Sequence, residues 1–298
     1  MKKVLVFFIF MYFLIFSLSS CVQERNPSLI NSNLPCSKVI ISINPLREIA
    51  KEIGRDLMEF NTFVPSGVEI HDYEPRVNDL KALEDYDAFV YNGLNIEPWL
   101  HKVMEASSKG FRMYDLSDGY DVINKDGVLD PHIWMGVTGA LFYGEKIKDI
   151  LIDEDPHNRL QYESNFEIFK NKCNDLLYKY KDLFSKLNNK NIVTGHEAFN
   201  YLARDFGLTP NSIEDIFSSG EPNAKTLSHL VDYCKENKVK VIFGEEMVSL
   251  KVTNTLAKEV GAEVVIIDTM EFENDESYGY LERMEDNLEL IFESLSRN

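Results

Sequence analysis

Cysteine is scarce in this chain, with four in 298 residues, at Cys21, Cys36, Cys173 and Cys234. No two stand at C-x-x-C spacing, which argues against a zinc knuckle or a dithiol redox centre. The three beyond Cys21 are an odd number that cannot all pair internally, so they read as structural or incidental. Basic charge is equally short: 31 Lys and Arg face 49 Asp and Glu, for a net charge of −18. Such a surface repels phosphate backbones, so nucleic acid is excluded as a partner, and it concentrates cations without selecting among them. Long apolar runs are missing except for Val4 to Phe16, which falls short of the roughly 20 residues that a membrane-spanning helix needs. No repeat or low-complexity tract follows Asn33, so a repeat-built adhesin has nothing to rest on.

What is present begins with an address. Lys2 and Lys3 precede the apolar run, and Ser17-Leu18-Ser19-Ser20 leads to Cys21, the layout of a secretory signal peptide over residues 1–20. Leu18-Ser19-Ser20-Cys21 resembles the bacterial lipobox, in which cleavage leaves the cysteine as a lipidated first residue. Cys21 is therefore the expected lipid attachment point, holding an otherwise soluble domain on the membrane from the extracytoplasmic side. Removing residues 1–20 takes away two lysines and no acid, moving the net charge from −18 to −20. Residues 21–37, rich in Asn, Ser and Pro up to Pro35, read as a flexible tether.

From Lys38 onward, short β-branched runs alternate with helical periodicity. Strands are expected at Lys38–Ile43, Glu59–Val64, Ala88–Tyr91 and Phe111–Leu116, with helices between them, and this alternation implies parallel sheet. A loop over Ser117–Pro131 and a helix from Trp134 to Ile152 follow. A long helix is then expected from Pro156 to Leu187, with one buried stripe through Leu160, Phe166, Phe169, Cys173, Leu176, Leu177, Tyr180, Leu183, Phe184 and Leu187. A second α/β series runs from Asn191 to Ser296. The fold class is thus α/β, with two similar lobes over 38–153 and 189–298, each a mainly parallel sheet flanked by helices, joined by one rigid helix over 154–188.

Ligands of such sheets bind beyond the carboxyl ends of the strands. His71 follows the second strand across Pro65-Ser66-Gly67, His196 follows Ile192-Val193-Thr194-Gly195, and Asp268 directly ends Val264–Ile267. His132 stands in Asp130-Pro131-His132-Ile133-Trp134, where proline fixes the backbone ahead of a helix. The four are 61, 64 and 72 residues apart, two from each half, as a site between lobes requires. Three neutral imidazoles and a carboxylate suit zinc and its neighbours, and four protein ligands leave little room for a catalytic water. His101, His157 and His229 lie on expected helix faces and read as ordinary surface histidines.

The same segments resemble a family, the metal-binding solute receptors of bacterial ABC importers for zinc and manganese (cluster A-I, or cluster 9). Val64-Pro65-Ser66-Gly67 with His71-Asp72-Tyr73-Glu74-Pro75 and Asp79 is similar to the first-ligand segment, and Asp130-Pro131-His132-Ile133-Trp134 to the second. Thr194-Gly195-His196-Glu197-Ala198-Phe199-Asn200-Tyr201, ahead of Phe206-Gly207-Leu208, is similar to the third. Glu221-Pro222, Ile242-Phe243-Gly244-Glu245-Glu246 and Val264–Asp268 complete the pattern, with Asp268 where some members place a fourth ligand. Arg76 stands where the family usually has a small hydroxyl residue, and the histidine-rich acidic loop of many zinc receptors is missing. The resemblance implies one Zn2+ or Mn2+ per chain as the transported ligand, an ABC permease with its ATPase subunits as partners, a monomer, and lobes that move little. The alternative is an exported zinc-dependent hydrolase, in which three histidines leave a fourth position to water and Glu197 or Asp72 serves as base. Asp268 closing the sphere argues against it.

Overall fold

The computed structural model describes residues 37–107, 110–217, 224–246, 249–273 and 278–297. Cys21, the leader and nearly all of the expected tether lie outside the described residues, as do Cys36 and Glu221-Pro222.

The amino-terminal lobe carries β1 (Val39–Ile41), α1 (Asn44–Gly54), β2 (Phe60–Thr62), α2 (Val77–Ala82), β3 (Ala88–Tyr91), α3 (Leu100–Ala106) and β4 (Arg112–Asp115). Its four strands run parallel in the order β2-β1-β3-β4. The central strand β1 is covered on both faces, Val39, Ile40 and Ile41 all being buried, which is why it reads as a continuous apolar run without alternation. Helix α1 forms because Leu46, Ile49, Ala50 and Ile53 recur at three- and four-residue steps, and all four are buried. Pro45 in its first turn fixes the entry.

After β4 the chain makes a small antiparallel hairpin, β5 (Asn124–Lys125) and β6 (Val128–Leu129). Asp126 and Gly127 at its tip have φ of 52° and 90°, the left-handed pair that a tight two-residue hairpin turn demands. A single 3-10 turn, Ile133–Met135, leads into α4 (Val137–Glu154). No side chain of its own caps α4. Asp205 does so from the other lobe, accepting from Thr138 N at 2.8 Å and Thr138 Oγ1 at 2.6 Å.

Helix α5 (Arg159–Ser185) has 27 residues, about 40 Å at 1.5 Å per residue. Phe166, Phe169, Cys173, Leu176, Tyr180 and Phe184 are buried as the periodicity predicts, whereas Leu160, expected on the same stripe, is 79% exposed and Tyr162 is buried in the first turns instead. Near its start Asn165 Nδ2 donates to Ile53 O at the end of α1 (2.8 Å), and near its end Lys179 Nζ meets Glu285 Oε1 (2.6 Å).

The carboxyl-terminal lobe follows with β7 (Asn191–Thr194), α6 (Asn200–Phe206), β8 (Thr209–Ser212), α7 (Ala224–Glu236), β9 (Val241–Glu245), α8 (Lys251–Val260), β10 (Glu263–Ile267) and α9 (Tyr280–Ser296). Its sheet is parallel in the order β10-β9-β7-β8. One hydrophobic cluster runs from Val39 through α5 to Leu295, so the lobes share a core, while a smaller cluster around Val193, Leu230, Cys234, Ile242 and Leu256 fills the outer side of the second sheet. A shared core of packed aromatics resists hinge opening, because separating the lobes would expose it.

Candidate metal site

Three of the four side chains proposed from the sequence meet at the cleft between the sheets. The rings of His71, His132 and His196 have centroids 5.1 to 5.8 Å apart. A carboxylate joins them, with one ligand atom from each of the four residues within 4.8 Å of all the others. That carboxylate belongs to Glu271 and not to Asp268. Asp268 is taken by Arg283, whose Nε and Nη2 bind its two oxygens at 2.6 and 2.7 Å, and Asp268 Oδ1 also accepts from Met270 N at 2.6 Å. The guanidinium fork and the backbone amide together occupy three of the four lone-pair sites of this carboxylate and neutralise its charge. The sequence pointed to Asp268 at the end of β10, and the carboxylate that the structure brings beside the three histidines is that of Glu271, three residues further along the same loop.

The local sequence places each histidine differently. His71 lies on the turn after β2, between Ile70 and Tyr73, both of which are buried. Tyr73 packs on Phe63 and Trp99 with centroids 6.0 and 5.5 Å away, and its hydroxyl donates to Asp79 Oδ2 at 3.1 Å. Asp79 also accepts from Arg76 N at 2.8 Å, which ties the His71 turn to the start of α2. Arg76 and Asp72 are exposed.

His132 and His196 are gripped in the same way by buried carboxylates. Asp130 Oδ1 accepts from both the main-chain N and the ring Nδ1 of His132, each at 2.9 Å. Glu245, at the end of β9, accepts from His196 N at 2.7 Å through Oε1 and from His196 Nδ1 at 2.5 Å through Oε2. A carboxylate on Nδ1 fixes the tautomer and turns Nε2 toward the ion. The two Nε2 atoms stand 3.4 Å apart. Glu245 can come this close only because residue 195 is glycine: a Cβ there would sit 2.8 Å from Glu245 Oε1. Asp130 and Glu245 stood inside recognisable motifs of the sequence, but only folding reveals which histidine each one serves.

The site's electrostatics divide the histidines. Burial, reinforced by the other two imidazoles, pushes His71 down to about 2. Burial also lowers His132, outweighing the opposing pull of Asp130. For His196 burial acts downward as well, but Glu245, with help from Glu271 and Glu69, overcomes it and raises the ring to about 9. Burial first, and then Glu69, lifts the Glu271 carboxyl well above its ordinary range. Two buried atoms of the cluster, His71 Nε2 and Glu271 Oε1, have no hydrogen-bond partner. A divalent cation satisfies both at once and offsets the cost of burying them. Three imidazoles with one carboxylate oxygen are a donor set that zinc accepts in four-coordinate form. His101, His157 and His229 are exposed and stand outside the cluster.

The sequence profile of the family described as zinc-uptake complex component A, periplasmic, matches residues 39–294. A putative metal-binding protein of Treponema pallidum is 33% identical over 276 residues, covering 87% of each chain. The high-affinity zinc uptake system protein ZnuA of Bacillus subtilis is 32% identical over 277 residues, covering 86% of this chain and 87% of its own. Among solved structures, the laminin-binding protein Lmb of Streptococcus agalactiae, described as bifunctional with adhesin and metal-transporting activity, superposes with a TM-score of 0.82 at 31% identity, covering 88% of this chain and 100% of that one. With a profile match spanning both lobes, the long helix and all four clustered side chains, the chain belongs to the periplasmic zinc-uptake component A family.

Proposed function

We propose that this protein is the extracytoplasmic solute-binding component of an ABC importer. It captures one divalent transition metal ion through His71, His132, His196 and Glu271 and hands it to a membrane permease driven by its ATPase subunits. The observation that carries this reading is the pair of orphaned buried atoms, His71 Nε2 and Glu271 Oε1, in a cluster with two imidazoles already oriented by carboxylates. Four protein ligands fill a tetrahedral sphere and leave no position for an activated water, so the site supports carriage and not hydrolysis. The protein acts as a monomer held at the membrane by lipid on Cys21.

Protein purified without chelator should contain close to one equivalent of zinc or a neighbouring metal by elemental analysis. His132→Ala should bring that content near zero. A His132→Ala variant that retains full metal content and affinity would overturn the assignment. Fatty-acid analogue labelling of the wild type, lost in Cys21→Ala, tests the anchor separately.

A further inference from the structure

Glu271 has no ion-pair partner of its own among the described residues, so its place in the cluster depends on the backbone that carries it. That backbone is an irregular loop, with Met270 at a left-handed φ of 63°. The loop is nonetheless pinned through several of its backbone groups. Asp268 N and O bond to the Asn287 carboxamide at 3.1 and 2.7 Å, and Thr269 O accepts from Trp134 Nε1 at 3.1 Å. The two carbonyls that flank Glu271, Met270 O and Phe272 O, both accept from Asn44 Nδ2 at 3.1 Å. Asn44 opens α1 of the opposite lobe.

The Asn44 carboxamide has one possible orientation. Its oxygen accepts from Arg47 Nη2 at 3.0 Å, and its nitrogen also donates to Glu48 Oε1 at 2.8 Å. A flipped amide would set oxygen against three acceptors. Glu48 is held in turn by Arg283 Nη1 at 2.7 Å, and Arg283 is the residue that occupies Asp268. Arg47 reaches Glu273 on the far side of the same loop.

Taking the metal-capture reading as its basis, we propose that Asn44 is a positioning residue for the metal site: it references the Glu271 loop to the amino-terminal lobe, and so sets the distance between Glu271 and the imidazoles of His71 and His132. Trp134, two residues from His132, makes a second tie of the same sense. The fourth ligand comes from the carboxyl-terminal lobe in sequence and is located by the amino-terminal lobe in space. A site of set size discriminates between ions by how well four fixed donors fit them.

The test is a double-mutant cycle on the full chain, read by zinc competition titration and by the visible spectrum of bound cobalt, which reports tetrahedral geometry. Asn44→Ala should weaken zinc binding about 10- to 100-fold, the range for an outer partner of a ligand, and diminish the tetrahedral cobalt bands. In a Glu271→Ala background the same substitution should have no further effect on zinc affinity, because it acts only through Glu271. Should Asn44→Ala fail to fold, Asn44→Asp, which keeps the volume and removes the donors to Met270 O and Phe272 O, carries the same cycle. Unchanged zinc affinity in the single variant, or an equal loss with and without Glu271, overturns the positioning role and leaves the metal assignment standing. Glu271→Ala that binds zinc like the wild type overturns both.

Discussion

Asp268 and Arg283 meet through two parallel hydrogen bonds of 2.6 and 2.7 Å, and the guanidinium is 1% exposed, so the carboxylate at the end of β10 neutralises a buried cation. Glu48 completes the neutralisation from α1 at 2.7 Å. Asp268 and Glu271, three residues apart, therefore have opposite relationships to stability. Removing Asp268 leaves a buried guanidinium with half its counter-charge, whereas removing Glu271 relieves an unpaired buried carboxyl.

Asp268→Ala should accordingly destabilise the metal-free protein by about 3 kcal/mol, the lower end for breaking a buried ion pair. At about 2.1 cal/mol/K of unfolding entropy per residue, that is a fall of roughly 5 °C in Tm. Glu271→Ala should leave the metal-free Tm unchanged or raise it, while costing most of the zinc affinity. Calorimetric melts of chelated protein and zinc titrations of both variants separate the two roles. A metal-free Asp268→Ala as stable as the wild type would remove the structural role given to the pair.

Capture of the ion should release protons. In the free protein His196 keeps its proton up to about 9, and the Glu271 carboxyl is raised well above its ordinary value. Coordination needs a lone pair on His196 Nε2 and an ionised Glu271, so both protons compete with the metal. His71 and His132, lowered by burial, are neutral already. Apparent affinity should therefore fall as pH is lowered from 9, by at least about tenfold per pH unit, instead of fading only below the ordinary imidazole value. Isothermal titration at pH 7 in buffers of different ionisation enthalpy should give between about one and two protons released per ion, falling toward one in Glu271→Gln. No net release would mean that His196 is neutral in the free protein.

Gly195→Ala tests the grip on His196. The new Cβ lies 2.8 Å from Glu245 Oε1, so the carboxylate must withdraw from the two atoms that it holds. Weakening that attraction lets burial prevail and lowers the His196 pKa from about 9. Above about pH 9, where the His196 proton no longer competes in either protein, zinc affinity should drop about 10- to 100-fold, as for loss of an outer-sphere carboxylate. Proton release at pH 7 should decrease in parallel, which a purely steric defect would not produce. An unchanged His196 titration by NMR would show that Glu245 does not set its charge.

The parts of the fold that the sequence reveals are those with regular period. Strand-and-helix alternation from Val39 to Ile267 and the stripe from Phe166 to Phe184 appear where expected, because burial on both faces of a sheet or one face of a helix imposes a pattern on many residues at once. The Asn124–Leu129 hairpin was expected as loop: two residues per strand carry no period, and only Asp126-Gly127 marks it. The convergence of the three histidines was legible from the strand ends that precede His71 and His196 and from the Asp130-Pro131-His132 turn ahead of a helix. The arrival of Glu271 beside them was not, since nothing in Met270-Glu271-Phe272 distinguishes a buried cluster carboxylate from a surface charge until Arg283 is seen to occupy Asp268. Long-range partners such as Glu245 for His196, 49 residues away, leave no local trace.

Zinc should bind more tightly than manganese in vitro. The cluster offers three imidazole nitrogens and one carboxylate, His71, His132, His196 and Glu271, all buried or nearly so. Manganese favours more oxygen donors and a larger coordination number, and it stands at the bottom of the divalent affinity series. Nearby Glu69 and Glu214 are carboxylates raised by burial, but neither belongs to the four-atom cluster, so they do not supply manganese with the missing oxygens. A ligand that binds only the folded form stabilises it by RT ln(1 + [L]/Kd), so a hundredfold difference in affinity at equal saturating metal is worth about 2.7 kcal/mol. Zinc should then raise Tm by roughly 5 °C more than manganese. Glu271→Ala should reduce the manganese effect proportionally more, because it removes the only oxygen among the four donors. Equal stabilisation by the two metals would mean that a further oxygen ligand enters the sphere, with Glu69 the first residue to substitute.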